Sequence, residues 1–198
     1  FSNTNKPLNP RGNDASPLAY NRAALYSGKA LDFDGSNDSV IVPQDSSLEL
    51  TQGSWSCWFN IDSFGNYLRI IQKGHNAGSN CGYGMALSNA ANVVDFWFRT
   101  TAGTEQVKQA RNLEINTWYF ATGTFDGTYV KVYINGIEVT EDSSVVNYSA
   151  SGTTLTIGMR AGIVASPFNG EITGVRVFNT ALTAAQIADL YNNPEKIV

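Results

Sequence analysis

The chain has 198 residues, 42% of them hydrophobic and only 15% charged, with a formal net charge of -4 and an isoelectric point near 4.9. Its Lys and Arg never cluster, which excludes a phosphate-rich partner such as nucleic acid, and no apolar run approaches the about 20 residues that a membrane-spanning helix needs. It starts at Phe1 and has no signal-like apolar stretch, which reads as a mature or excised piece of a longer protein.

Residues 1–27 read as an irregular N-terminal arm: they lack periodicity, and Pro7, Pro10 and Pro17 break regular pairing. Residues 28–198 read as one domain, with no linker and no internal repeat. Its strand signals begin with "KALDF" and "DSVIVP" on either side of Asp34-Gly35-Ser36-Asn37. Then come "SWSCWFNI", "YLRIIQK", "YGMALS", "NVVDFWFRT", "EQVKQA", "TWYFATGTF", "TYVKVYI", "TLTIGM" and "GEITGVRVFN", separated by Gly, Asn, Ser and Asp. Many short strands at even spacing predict an all-β sandwich or jelly roll. Asp126-Gly127 and Asn135-Gly136 bracket one strand, and both dipeptides suit two-residue hairpin turns. Between them Val130, Val132 and Ile134 face one way, and Tyr129, Lys131 and Tyr133 the other, so this meander has one oily face that needs a second layer.

One helix is predicted, near the end of the chain. Thr183 caps it, Gln186 completes a capping box, Ile187, Leu190 and Tyr191 form its apolar face, and Asn192-Asn193-Pro194 stops it. The two cysteines, Cys57 and Cys81, lack zinc-ligand spacing, and the single His75 cannot complete a site with them. A disulfide between them and a pair of free thiols both remain open.

The order of "KALDFDGSNDSVIV", "SWSCWF", "IIQKG", "GYGMAL", "TWYFATGTFDGTYVKVYINGIEV", "LTIG" and "FNGEITGVRVFNTALTAAQIADLY" resembles the laminin-G-like, concanavalin-A-like jelly-roll family over about residues 28–192. The resemblance implies a two-sheet antiparallel jelly roll; the single short helix, coming after the final strand, is expected to dock on its edge. In one place the chain departs from the pattern: the family's last strand usually has two acids after its apolar residue, and here Thr173 and Gly174 follow Ile172.

Catalysis is not expected. The laminarinase-type hydrolases that share this sandwich have a Glu-x-Asp-x-x-Glu run, which places paired carboxylates on one strand face, and this chain has none. Glu138, Glu141 and Asp142 read as a solvated hairpin end, and His75 as a solvent-facing loop residue without a nucleophile to serve. Calcium is a candidate. "DFDGSND" gathers Asp32, Asp34, Asn37 and Asp38 at a turn, and related jelly rolls hold a structural Ca²⁺ where the first strand pair meets the last strand, here near Glu171 and the carbonyls of Ile172 and Thr173. Asp34, Asp38 and Glu171 are the expected ligands. The same oxygens also suit an Asx turn closed on its own backbone.

Aromatic faces are the remaining signal. Asp95, Trp97 and Arg99 alternate against Val94, Phe96 and Phe98, and Ser56, Trp58 and Asn60 alternate against Trp55, Cys57 and Phe59. If Trp97, Asp95, Arg99, Trp58 and Tyr133 fall on one sheet, they form a groove of rings and hydrogen-bonding groups of the kind that binds sugars. The expected function is a non-catalytic glycan-binding module of an extracellular protein or a virion surface. The alternative is a phage structural domain, in a tail, fibre or capsid decoration, that packs on other subunits.

Overall fold

The structure, a computed structural model, describes residues 2–4, 30–65, 67–74, 81–88, 92–99, 105–140, 153–160 and 166–194. These fold as two antiparallel sheets. One has seven strands in the order β1 (Ser2–Thr4), β2 (Ala30–Asp34), β13 (Asn169–Phe178), β4 (Gly53–Ile61), β9 (Trp118–Phe125), β10 (Val130–Ile134) and β11 (Ile137–Thr140). The other has six, in the order β3 (Val40–Val42), β12 (Leu155–Ile157), β5 (Arg69–Gly74), β6 (Cys81–Leu87), β7 (Val93–Arg99) and β8 (Glu105–Arg111). Helix α1 (Ala184–Asn192) follows β13. Among the described residues this is a two-sheet jelly-roll sandwich with one short helix, the fold that the strand pattern predicts.

The period-two pattern decides which residues meet between the sheets. From the seven-stranded sheet come Trp55, Cys57, Phe59 and Ile61 of β4, Tyr119 and Ala121 of β9, and Val130 and Val132 of β10; facing them are Ile71, Tyr83, Met85, Val94 and Phe96. Gly123 stands directly opposite Trp55 in the ladder, and a Cβ on it would come within 2.8 Å of the Trp55 indole. The largest core side chain thus needs a glycine beside it. Cys57 is a free thiol buried in this core, with Met85 Sδ 3.6 Å away, and burial pushes its pKa up. The disulfide alternative fails for that reason; the side chain of Cys81 lies outside the described residues.

The two Gly turns differ from one another. Asn135 and Gly136 both take positive φ (52° and 82°), and they close the two-residue hairpin between β10 and β11 as expected. Asp126-Gly127 does not form such a turn. Asp126 Oδ1 accepts the backbone N–H groups of Thr128 and Tyr129, giving a four-residue loop closed by an Asx turn. The arm expectation is corrected at one place: Ser2–Thr4 add an edge strand opposite Asp32, Leu31 and Ala30. Polar residues without alternation gave no strand signal there. The rest of the arm lies outside the described residues.

Helix α1 has the capping box expected from Thr183 and Gln186: Gln186 N donates to Thr183 Oγ1, and Thr183 N donates to Gln186 Oε1. Its face of Ile187, Leu190 and Tyr191 covers Trp58, Trp118, Phe120 and Tyr133 on the outer side of the seven-stranded sheet, a second, smaller core.

Candidate functional site

The strand faces were legible, but the single groove was not. Asp95 and Trp97 do share the face of β7 opposite Val94 and Phe96, on the outside of the six-stranded sheet. Trp58 and Tyr133 lie on the outside of the other sheet, under α1. The four expected sugar-binding residues whose side chains are described therefore belong to two opposite surfaces. Trp58 is 2% exposed and stacks on Tyr191 at 5.5 Å between ring centres. Tyr133 is buried and donates to Glu138 Oε2 at 3.1 Å. Both serve to dock the helix. Arg99 belongs to β7, but its side chain lies outside the described residues, as do His75, Glu141 and Asp142.

Trp97 is also buried, at 2% exposure. Its strand neighbour Gly84 has no side chain, so the indole lies over that gap: a Cβ on Gly84 would come within 2.5 Å of Trp97 Cζ2. From β5 the Arg69 guanidinium covers the ring, 4.7 Å from its centre. Arg69 is in turn covered by the ring of Tyr67 at 5.8 Å. Arg69 pairs with Ala86 and Ala86 with Asp95, so Arg69 and Asp95 stand in one ladder row with a small residue between them. Gln72 lies in the next row, across Gly84 from Trp97; its Nε2 donates to the Gly74 carbonyl, and its buried Oε1 has no partner among the described residues.

The result is a layered stack, Tyr67 on Arg69 on Trp97, with Asp95 and Gln72 beside it. Only Tyr67 reaches solvent, at 43% exposure, and it holds a left-handed backbone conformation (φ 56°). A bulky residue in that region costs of order 1–3 kcal/mol and persists only where its surroundings impose it, a pattern that clusters at ligand sites. An aromatic face presented to water above a guanidinium can stack on the C–H face of a sugar. Sequence reading took Tyr67 as the first residue of the strand signal "YLRIIQK", whereas β5 starts at Arg69 and Tyr67 precedes it in a left-handed conformation; its signal was a tyrosine two residues before the strand's first arginine.

The expected calcium ligands are divided as well. Ser36 N donates to Asp34 Oδ1 at 2.8 Å and Asp34 N to Asp38 Oδ2 at 3.2 Å, so the turn is closed as an Asx turn. In the ladder Asn169, not Glu171, stands opposite Asp34, and its amide packs on Gly35. Glu171 stands opposite Asp32, 1% exposed, and accepts from Asn60 Nδ2 at 2.8 Å. Among the described residues no three His, Cys, Asp or Glu side chains converge to hold a metal by themselves.

A family model described as the concanavalin A-like lectin/glucanases superfamily matches residues 34–188. No curated protein matches significantly. Among solved structures the chain is similar to domain 4 of AbnA, a GH43 extracellular arabinanase from Geobacillus stearothermophilus, solved in complex with arabinotriose: 21% identity and a TM-score of 0.65, covering 83% of this chain and 77% of that one. It is similar as well to the binding domain of botulinum neurotoxin serotype D, at 19% identity and a TM-score of 0.65, and to that of Paraclostridial Mosquitocidal Protein 1, at 14% and 0.64. The chain covers 42% and 43% of those two binding domains.

Proposed function

The chain belongs to the concanavalin A-like lectin/glucanase superfamily, and from that premise we propose that it is a non-catalytic module that binds carbohydrate, displayed by an extracellular or virion-surface protein. The observation that supports this reading is the Tyr67–Arg69–Trp97 stack, whose exposed ring is held in place from below. The sugar's apolar face lies on Tyr67, the member of the stack that reaches solvent, and Arg69 and Trp97 hold that ring in place from beneath. The chain supplies no catalytic step in this reading, since it lacks the paired-carboxylate run of the hydrolases.

Binding to a glycan array, followed by calorimetry with arabinotriose as the first probe, tests the proposal. Saturable binding to a neutral oligosaccharide is expected. Failure to bind any glycan would turn the reading toward its rival, a virion structural domain that packs on other subunits. The edge pairing of Ser2–Thr4 favours that rival, because adding a short strand to a sheet edge is also how chains join a neighbour's sheet.

Calcium is a separate proposal. Asp34 and Asp38 would hold it, with the Asn169 amide and backbone carbonyls completing the shell in place of Glu171, and it would pin β2 to β13.

A further inference from the structure

The strand register brings together a set of hydrogen-bond donors on the outer side of the seven-stranded sheet, beneath α1. Arg176 of β13 stands opposite Ser56 of β4, and Ser56 opposite Thr122 of β9. Trp58 is the next residue of β4 on the same face. Ser56 and Thr122 are each 0% exposed and Trp58 is 2%. The Ser56 and Thr122 hydroxyls, Trp58 Nε1 and Arg176 Nη1 are all buried, and none has a hydrogen-bond partner among the described residues. Arg176 Nη2 donates to the Pro194 carbonyl, and among the described residues no carboxylate pairs with the guanidinium.

A bulge puts the arginine there. Alternation from Ile172 would turn Arg176 into the core, but the register slips by one between Thr173 and Arg176, where Gly174 takes a positive φ of 58°. Val175 and Val177 then pack against the core, and Arg176 turns outward beneath the helix. Buried polar groups are nearly always paired, and a buried charge without a partner is costly. Arg and Trp side chains can only donate, while Ser and Thr hydroxyls rotate to donate as required. One acceptor carrying a negative charge would satisfy all four groups and the guanidinium's charge together.

We propose that this enclosed row is a site for a small inorganic anion of halide size, which joins β13, β4 and β9 under α1. Melting the whole protein in sodium chloride and in sodium gluconate at equal ionic strength tests it, together with a bromide soak of crystals. The expected results are a saturable rise in Tm with chloride and an anomalous bromide peak within hydrogen-bond reach of Arg176, Ser56 and Thr122. Arg176→Gln should lose both; should that variant not fold, Ser56→Ala and Thr122→Val should each weaken the chloride dependence. Equal melting curves in the two salts, or ordered waters with no bromide peak, would overturn the proposal.

Discussion

The Arg69 guanidinium lies between two aromatic rings, 4.7 Å from the centre of Trp97 and 5.8 Å from that of Tyr67. The buried ring supports the charge, and the charge supports the exposed ring. Roles that the sequence pattern suggests for one tryptophan are thus divided between two aromatics. Trp97 serves as foundation and Tyr67 as contact surface.

Trp97→Ala is expected to destabilise the domain by about 3–5 kcal/mol, the usual range for a buried Trp truncated to Ala. It removes the ring that fills the space over Gly84 and leaves Arg69 without support. Urea unfolding measures the loss. A variant as stable as wild type would show that the ring is not part of the packing.

At one end of the sandwich Lys73, with a fully buried side chain, is paired with Glu49 at 2.7 Å and donates to the Gln44 amide and the Thr153 carbonyl. Removing one member of a buried pair leaves the other charge uncompensated. Lys73→Met alone should therefore cost about 3–5 kcal/mol, and Lys73→Met with Glu49→Gln should recover part of it. Additive effects in the double-mutant cycle would refute the coupling.

Tyr133 should make the domain sensitive to alkali. Burial, with Glu138 accepting its hydroxyl hydrogen, pushes its pKa up to about 12. The unfolded tyrosine titrates near 10, so the unfolded state loses its proton first. The contribution to stability is complete below pH of about 10 and is lost as pH rises from there through about 12. Tyr83 and Tyr119 are shifted in the same direction, so the informative comparison is wild type against Tyr133→Phe. The variant's Tm should fall less steeply over that window, and parallel curves would contradict the assignment.

Calcium at the Asp34–Asp38 turn should be visible by linkage. Binding only the folded state stabilises it by about 2.7 kcal/mol at a hundredfold excess over Kd. Tm should fall with chelator and recover with Ca²⁺, and Asp34→Asn should blunt the response. A Tm indifferent to chelator would mean that the turn's own hydrogen bonds are sufficient.

Short-range pattern specified most of the fold. Alternation in β4, β7 and β10 gave the correct faces, Asn135-Gly136 gave its turn, and Thr183 with Gln186 gave the helix start. Which outer face meets water is set by long-range packing. Helix α1 covers Trp58 and Tyr133 from a distance in sequence that alternation cannot reveal, and Arg69 covers Trp97 from another strand. The bulge at Gly174 escaped for a related reason: a one-residue slip leaves little trace in hydrophobic pattern, yet it decides where Arg176 points. Tyr67 was missed because its role depends on a backbone conformation that no periodicity encodes.

Tyr67 as the contact surface for sugar is tested by calorimetric titration of wild type and Tyr67→Ala with the strongest-binding oligosaccharide from the array. Because Tyr67 is exposed, the variant should melt within a few degrees of wild type. Loss of a stacking ring should lower affinity by roughly 1–3 kcal/mol, by analogy with base stacking on aromatic side chains. Unchanged affinity in a folded Tyr67→Ala variant would place the sugar elsewhere on the sandwich.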